Sequence, residues 1–402
     1  MQKKLIALAV ASVASGAALA QTNVTVYGVV DAGYLYSSGN QSKANGGGTN
    51  TFSGLSSGIS AGNRIGFKGS EALGNGLKAV FTLEYGLDID TNQGIGTGGL
   101  NARQQFVGLA SDKLGTVALG RQYAPGFNAS ARNSALDATD LAIQSNLSVL
   151  SGMSITPNSP ARFDNSVTYT SPNFSGFTVS AIYGFGEKDV TKSQDNGAKY
   201  GIGGNYANGP INVDLLYQGR QNVVIPGTSA GFVVMPVIPP TTPPSTTITG
   251  VPATPTDYTG KDINEWYLGG SYDFKVVKLF ASYQELYTQT TKAVPGTFKG
   301  STLWTLGVNA PVGPGTASLS YGNLSLDNTT MKDGESWGAG TMYSYPLSKR
   351  TSLYAAYSYF SNDKYSLPMQ TQLAPITTAG SPGIGAVGES NYAIGAGMTH
   401  VF

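Results

Sequence analysis

The feature that most constrains this chain is an alternation of apolar and polar side chains with a period of two residues. The alternation recurs from Val24 to the C-terminus, and a period of two is what a β-strand with two chemically different faces produces. One stretch shows both faces: Val277, Leu279, Ala281 and Tyr283 on the first, Lys278, Ser282 and Gln284 on the second. Beyond the N-terminus, no stretch approaches the ~20 apolar residues of a membrane-spanning helix. The pattern predicts an all-β chain.

The composition restricts what such strands can build. The 402 residues include 54 Gly and 23 Tyr, and charged residues make up 12% of the chain, about half the fraction usual in soluble domains. Strands with one charged and one apolar face would need a covering layer in a soluble protein, whereas a water-filled barrel in lipid has this arrangement by construction. The sequence therefore predicts a transmembrane antiparallel β-barrel, with a secreted soluble β-protein as the alternative.

Both ends of the chain fit export and a closed sheet. Lys3 and Lys4, the apolar stretch over 5–13 and the small residues before position 21 are typical of a secretory signal peptide. We expect a signal peptide over 1–20 and one barrel domain over 21–402, with a buried N-terminal helix as the alternative. The last stretch keeps alternating up to the aromatic Phe402, which suits a final strand that pairs with the first strand.

Charge and cysteine content exclude several classes of partner. Without Lys3 and Lys4, the 24 basic residues of the chain become 22 against 23 acidic ones. This balance predicts no nucleic-acid partner. The sequence contains no cysteine, which excludes a disulfide scaffold and a thiolate metal site. No cofactor is predicted, and calcium binding by loop carboxylates is left open.

Sixteen strands are predicted, an even number as in bacterial barrels. They lie near 22–36, 61–70, 77–90, 101–111, 115–123, 162–172, 177–187, 199–208, 210–220, 262–274, 277–290, 300–311, 315–328, 335–346, 351–362 and 389–402. Short turns alternate with long connections, as expected for periplasmic turns and external loops. The long connections are 37–60, 124–161, 221–261 and 363–388. The third of these holds a Pro/Thr-rich run over 239–247, and the second contains a predicted helical turn over 134–141, which makes it a candidate functional loop.

Six motifs carry a resemblance to a known family. They are Val-Thr-Val-Tyr-Gly-Val-Val-Asp-Ala-Gly at 24–33, Asn-Arg-Ile-Gly-Phe-Lys-Gly-Ser-Glu-Ala-Leu-Gly-Asn-Gly-Leu-Lys at 63–78, Asn-Ala-Arg-Gln-Gln-Phe-Val-Gly-Leu at 101–109, Leu-Gly-Thr-Val-Ala-Leu-Gly-Arg-Gln at 114–122, Arg-Phe-Asp-Asn-Ser-Val-Thr-Tyr-Thr-Ser-Pro at 162–172 and Leu-Ser-Lys-Arg-Thr-Ser-Leu-Tyr-Ala-Ala at 347–356. In this order the chain resembles the Gram-negative general porins, especially the neisserial and burkholderia-type branch, over essentially all of 21–402. Three positions depart from the family pattern: Ala72 follows Glu71 where an acidic pair is usual, and Thr399 and Val401 stand where relatives often carry basic residues.

The resemblance implies a sixteen-stranded barrel, usually a homotrimer, whose third external loop, here 124–161, folds into the lumen. It also implies that Arg64, Arg103 and Arg162 face the lumen at its narrowing. Strand parity gives the same orientation: Arg64 alternates with Ile65 and Phe67, Arg103 shares a face with Gln105 opposite Phe106, and Arg162 shares a face with Asp164 and Ser166 opposite Phe163 and Val167. The alternative is that the three arginines are ordinary wall charges away from the narrowing.

The predicted function is passive diffusion of ions and small hydrophilic solutes across the outer membrane of a Gram-negative bacterium. A basic wall of Arg64, Arg103 and Arg162, joined by Lys68 and Arg121, would face Asp137 and Asp140 of the 124–161 loop. Arg121 has the lipid-facing parity of Val117 and Leu119, so it reaches the lumen only if its strand bulges or ends there. The excess of arginines predicts a mild anion preference, although Asp31, Glu84 and Asp214 can also line the lumen.

By the same resemblance, Phe402 is the aromatic end that outer-membrane assembly machinery recognises, and outer-membrane lipid surrounds the barrel. Two rival functions are kept open. A barrel hydrolase would need a base beside a nucleophile, but the one histidine, His400, has lipid-side parity on the final strand. The glycines at 94, 96 and 98 precede no helix pattern and are interpreted as a loop. The second rival is an adhesin or receptor that acts through its long loops.

Overall fold

The structure is a computed structural model of the chain. It describes residues 23–40, 48–91, 101–136, 139, 141–186, 197–223, 261–288, 298–328, 332–366 and 388–402. The predicted signal peptide, the Pro/Thr-rich run, the glycines at 94–98, and both Asp137 and Asp140 lie outside these ranges. Within them, no helix is long and apolar enough to cross a membrane.

The described residues form seventeen strand segments and two short helices. The strands are β1 (Asn23–Asn40), β2 (Thr49–Ser57), β3 (Arg64–Gly74), β4 (Leu77–Gly86), β5 (Asn101–Ser111), β6 (Gly115–Tyr123), β7 (Arg162–Thr170), β8 (Phe177–Gly184), β9 (Lys199–Asn208), β10 (Ile211–Val223), β11 (Lys261–Asp273), β12 (Lys278–Thr288), β13 (Phe298–Val312), β14 (Gly315–Asn328), β15 (Gly334–Pro346), β16 (Thr351–Asn362) and β17 (Ser390–Val401). The helices are α1 (Pro125–Arg132) and α2 (Ile143–Leu150), and a short 3-10 helix covers Ser159–Ala161.

The strands close into an antiparallel barrel with sixteen strand positions. β1 pairs with β17 on one side, from Val29 opposite Val401 to Gly39 opposite Asn391. On its other side the first half of β1 pairs with β3 and the second half with β2. β2 and β3 therefore share one strand position, and every other strand pairs with its neighbours in sequence. The predicted fold class and strand number are confirmed.

The segment β2 corrects the sequence-based map. It lies inside 37–60, which was predicted to be an external loop, and β1 itself extends to Asn40. The stretch between β2 and β3 is held against β1, because Gly58 N–H and Asn63 Nδ2 both donate to the Asp31 carbonyl at 2.9 and 3.0 Å. Gly58 has φ +75°, a conformation that favours glycine. One strand position of the barrel is thus divided between β2 and β3, and hydrogen bonds hold the residues between them against β1.

The two faces of the sheet differ as the alternation predicts. The outer face carries exposed apolar residues such as Val107, Leu119, Ile394 and Met398. Aromatic rings on this face contact one another across strands, as in the run Trp304, Tyr321, Trp337 and Tyr359, whose successive centroids lie 5.3–5.9 Å apart. The inner face consists of the residues that alternate along each strand with those of the outer face. It carries most of the buried polar and charged side chains.

The barrel closes at its last residue. The Gly28 N–H donates to the Phe402 carbonyl and the Phe402 N–H donates to the Gly28 carbonyl, both at 3.1 Å. A Cβ at Gly28 would collide with the Phe402 ring and lie 2.6 Å from the Arg64 carbonyl. The terminal aromatic therefore needs a glycine on the first strand in order to pair with it.

The 124–161 segment between β6 and β7 contains both helices. Of the predicted helical turn over 134–141, residues 137, 138 and 140 lie outside the described residues, and the others form turns between the two helices, with Thr139 N–H donating to the Leu136 carbonyl at 3.3 Å. Pro125 begins α1, as its fixed φ and missing N–H favour, and α2 follows that stretch. Ile143 and Leu147 of α2, with Met153, pack in one buried cluster with inner-face residues. Those partners are Ile263, Leu286, Leu303, Leu324, Leu326 and Phe360.

Candidate functional site

Glu84 gathers the basic residues that the sequence singled out. It lies on β4, opposite Gly66 of β3, and only 7% of the side chain is exposed. Its carboxylate accepts hydrogen bonds from Arg103 Nε at 2.8 Å, from the Tyr123 hydroxyl at 2.7 Å and from the Tyr27 hydroxyl at 2.9 Å. A buried carboxylate needs such donors to remain charged. Glu84 thereby fixes Arg103 on the inner face.

Arg64 and Arg103 meet at the strand break. Arg64 Nη1 donates to the Gly62 carbonyl at 2.9 Å, and a Cβ built on Gly62 would lie 3.1 Å from Arg103 Nη1. The two guanidinium groups are close enough for their charges to repel, and Glu84 attracts both. The break between β2 and β3 thus makes room for two arginines at one point of the wall.

Arg162 approaches the same site from β7. Its guanidinium carbon lies 5.9 and 5.8 Å from the ring centroids of Tyr123 and Phe127, and these rings stack at 3.8 Å. The distances suit a cation–π contact. The Arg162 Nε is buried without a hydrogen-bond partner among the described residues. Arg162 is therefore a cation that is held mainly by aromatic rings.

Arg103 faces inward as predicted, but a register shift rather than regular strand alternation gives it this orientation. Gln105 pairs with Leu83 and lies on the outer face with the exposed Val107, so the predicted face shared by Arg103 and Gln105 is wrong. The register of β5 against β4 shifts between Glu84 and Tyr85, which leaves Arg103 without a direct partner. Such an irregularity redirects a side chain, and it allows Arg103 to reach Glu84.

A second irregularity overturns the predicted parity at β7. Phe163 was expected to face lipid, but it is fully buried with Ala124 and Ile182, whereas the Asp164 side chain is 70% exposed. Asn165 has φ +50°, and the register against β6 shifts between Gly120 and Gln122. Alternation fails here because extra residues in one strand reset the parity.

Arg121 lies inside this register shift. From the sequence, Arg121 is expected to face lipid unless its strand bulges, and the strand pair is irregular at this residue. Its Nε donates to the Ala102 carbonyl at 2.7 Å, and its Nη1 forms an ion pair with Asp164. The charges of Arg121 and Arg162 repel each other. We call Arg64, Arg103, Arg121 and Arg162 the arginine cluster.

The other predicted charges lie around the cluster or on other strands. Lys68 is exposed, with its ammonium 5.1 Å from the centroid of the Tyr27 ring. Asp31 is buried and accepts from Ser60 N–H, Tyr354 and Thr399. Asp214 is buried and pairs with Arg132 at the end of α1. Asp31 and Asp214 are therefore already bound by other groups.

Sequence reasoning missed the residues that hold the 124–161 segment. Gln218 of β10 accepts from Gly126 N–H at 2.7 Å, and Glu265 of β11 accepts from Ser154 and Ile155. Gln284 of β12 donates to the Ile155 carbonyl at 3.1 Å. The sequence signal that could have identified these residues is a polar side chain at an inward-facing position on each of three successive strands.

The 124–161 segment also lies against glycines on β13–β17. A Cβ on Gly322 would lie 3.0 Å from Ile143 Cγ2, one on Gly340 3.0 Å from Leu136 Cδ1, and one on Gly307 2.6 Å from Ala135 Cβ. A Cβ on Gly395 would touch Ile59 and Leu141. We call these four glycines the support wall, because side chains there would occupy the place of the segment.

A barrel hydrolase would depend on the one histidine of the sequence as its base. His400 is on the outer-face parity of β17 and its Nδ1 lies 2.9 Å from the Thr351 hydroxyl. Among the described residues, no group of three or more His, Asp or Glu side chains could hold a metal ion.

Comparison with known proteins assigns the chain. A family model for Gram-negative porins matches residues 7–365. An outer membrane porin protein of Bordetella pertussis is 30% identical over 90% of this chain and 95% of its own length. Outer membrane porin protein 32 of Delftia acidovorans is 30% identical over the whole of both chains. An anion-selective porin from Comamonas acidovorans superposes with a TM-score of 0.72 and 25% identity over 95% of this chain and all of its own. The chain belongs to the Gram-negative porin family and is located in the outer membrane.

Proposed function

We propose that this porin is a passive diffusion channel for ions and small hydrophilic solutes with a weak anion preference, narrowed by the 124–161 segment beside the arginine cluster. The observation that carries the proposal is the incomplete neutralisation of that cluster. Four guanidinium groups gather against two carboxylates, Glu84 and Asp164. An excess of one sign at a narrowing biases which ions pass.

The individual partners of the arginines support the sign of this bias. Arg103 is paired with Glu84 and Arg121 with Asp164, whereas Arg64 donates to a neutral carbonyl and Arg162 lies over neutral rings. Arg64 and Arg162 therefore form no ion pair of their own among the described residues, and the cluster keeps an excess of positive charge. Screening over ~8 Å at physiological salt limits the influence of more distant residues such as Asp214. The anion selectivity of the similar Comamonas porin points the same way.

The contacts of the 124–161 segment support its role in narrowing the channel. The Ala124 N–H donates to the Ala161 carbonyl at 2.8 Å, which joins the two ends of the segment beside Tyr123 and Arg162. From there the segment reaches side chains of β10–β12 and the support wall. A polypeptide that touches opposite parts of one inner face must cross the space between them. Asp137 and Asp140 remain predicted acidic residues of this narrowing.

Three further parts of the proposal rest on the family. The porin is proposed to assemble as a homotrimer in outer-membrane lipid, and Phe402 is proposed to be the residue that assembly machinery recognises. No enzymatic activity is proposed, in keeping with the outer-face position of His400. A loop-mediated adhesin remains the rival, and a barrel that inserts but does not conduct would favour it.

The test is electrical. In planar bilayers the purified porin should give stepwise openings in groups of three, and a salt gradient should give a reversal potential of anionic sign. Arg103→Gln keeps a hydrogen-bonding side chain near Glu84 but removes one positive charge, so the reversal potential should move toward zero. Lys113→Gln, in the exposed turn between β5 and β6, is the matched control. An unchanged reversal potential in Arg103→Gln, with the folded barrel verified by its heat-dependent gel mobility, would reject the cluster as the selectivity site.

A further inference from the structure

Glu265 is a buried carboxylate that binds the 124–161 segment as well as its own sheet. It lies on the inner face of β11 with 1% of its side chain exposed. The Ser154 N–H donates to both carboxylate oxygens at 2.9 and 2.8 Å, the Ser154 hydroxyl donates to Oε1 at 2.8 Å and the Ile155 N–H donates to Oε2 at 3.0 Å. Successive backbone N–H groups that converge on one anion form a binding nest.

Arg220 of β10 completes this contact. Its Nη2 lies 3.0 Å from Glu265 Oε1 and donates to the Gly152 carbonyl at 2.7 Å. The ion pair therefore holds the turn over 152–155 through its N–H groups and through a carbonyl. The flanking contacts are neutral, with Gln218 Nε2 3.2 Å from the Ser154 hydroxyl and Gln284 Nε2 3.1 Å from the Ile155 carbonyl. Charge-assisted hydrogen bonds are roughly twice as strong as neutral ones, so the carboxylate dominates the attachment.

The position of this turn decides what its attachment can control. The segment leaves the wall at Tyr123 and returns at Arg162, both in the arginine cluster or beside it. The turn over 152–155 contacts β10–β12, away from those two points. We propose that Glu265 is the positioning residue that clamps the far turn of the 124–161 segment to the wall and so fixes the width of the narrowing. This inference rests on the proposed function, because it assumes that the segment narrows the channel.

A charge effect and a positioning effect of Glu265 can be separated. Glu265→Gln removes the nest anion but also leaves Arg220 as an unpaired cation, which alone would increase the anion preference. The double variant Glu265→Gln with Arg220→Gln removes one charge of each sign and leaves the net charge unchanged. A residue that acts only through its charge would affect the reversal potential and not the steadiness of the open channel.

The experiment is single-channel recording on wild type, both variants and a matched control. Glu285→Gln is the control, because Glu285 lies on the neighbouring strand β12, faces outward and accepts a hydrogen bond from Trp266 Nε1 at 3.0 Å, with no contact to the 152–155 turn among the described residues. We expect open-channel current noise about threefold above wild type in both the single and the double variant, since both variants lose the anion that accepts from the Ser154 and Ile155 N–H groups. Glu285→Gln should match wild type. Noise that returns to the wild-type level in the double variant would overturn the proposal.

Hydrogen exchange keeps the inference testable if a variant gives few channels. In the wild-type porin, the Ser154 and Ile155 amides should be as protected as the strands, and Glu265→Gln should exchange there about tenfold faster while β11 stays protected. Fast exchange of these two amides in wild type would reject the clamp. If Arg103→Gln changes the reversal potential but Glu265→Gln leaves noise and exchange unchanged, only this inference fails. If neither variant has an effect, the proposed narrowing itself fails.

Discussion

Arg64, Arg103 and Arg162 of the arginine cluster and the glycines of the support wall face the inside of one barrel, yet their chemistry is opposite. On β3–β7 these positions carry Arg64, Arg103 and Glu84, held by hydrogen bonds and ion pairs. On β13–β17 they carry glycines such as Gly322 and Gly340, against which the 124–161 segment rests. Parity decides only which residues face inward. Whether an inward position meets water or protein is decided by where the segment lies.

This difference implies two kinds of sensitivity. A substitution on the support wall should act through volume, because it pushes on a packed segment, and packed interiors transmit such strain. A substitution in the arginine cluster should act through charge, because its groups face the proposed path.

The largest effect is expected when the support wall is filled. Gly322→Leu places a branched side chain where Ile143 and Leu147 of α2 already lie within 3.0–3.3 Å of a Cβ. Overpacking of this kind costs about 1–3 kcal/mol, and displacement of α2 toward the open path should reduce single-channel conductance to about half or less. Gly204→Leu is the control, because a Cβ there meets nothing within 4 Å. Equal conductance in the two variants would show that the segment does not rest on this wall.

A smaller effect, on selectivity alone, is expected when one charge is removed. Arg162→Gln should move the reversal potential in a salt gradient toward zero with little change in conductance, since Arg162 has no carboxylate partner among its described contacts. Lys278→Gln removes the same charge from β12, where the ammonium lies 4.9 Å from the Phe280 ring centroid. We expect no shift in Lys278→Gln. Equal shifts would mean that total charge, and not the cluster, sets selectivity.

The smallest electrical effect is expected at Glu84. Glu84→Gln leaves Arg103 without its counter-charge, so anion preference should rise slightly, and the loss of a buried pair should destabilise the barrel by about 3 kcal/mol. Denaturant unfolding and reversal potential measure the two consequences separately. Glu71→Gln, at an exposed position of β3, should change neither. A stronger cation preference in Glu84→Gln would contradict the assigned balance of charges.

The fold could be predicted because alternation needs only the identity of each side chain. β2 was missed because Thr49–Ser57 is mostly polar on both faces and carries almost no alternation. The helices were misplaced for a different reason. Two valid helix signals are Pro125 at the first position of α1 and the spacing of Ile143 and Leu147 on α2. The sequence-based prediction instead placed a helical turn in the acidic stretch between them.

The site could be predicted only in part. Resemblance identified Arg64, Arg103 and Arg162, and the structure gathers all three around Tyr123 and Glu84. Parity could not give the orientation of Phe163 or Gln105, because each lies next to a register shift that no sequence pattern announced. Glu265 was missed since its role depends on Ser154, which lies more than one hundred residues away in sequence.

The contrast between the arginine cluster and the support wall can be tested most directly by chemical accessibility, because the chain has no native cysteine. Arg64→Cys introduces a thiol in the arginine cluster. Ser358→Cys introduces a nearly isosteric one on β16, opposite Gly340, where the serine hydroxyl is fully buried and without a partner among the described residues. A negatively charged methanethiosulfonate reagent added during bilayer recording should rapidly change the current of Arg64→Cys and leave Ser358→Cys unaffected. Reaction of both thiols at similar rates would contradict the account.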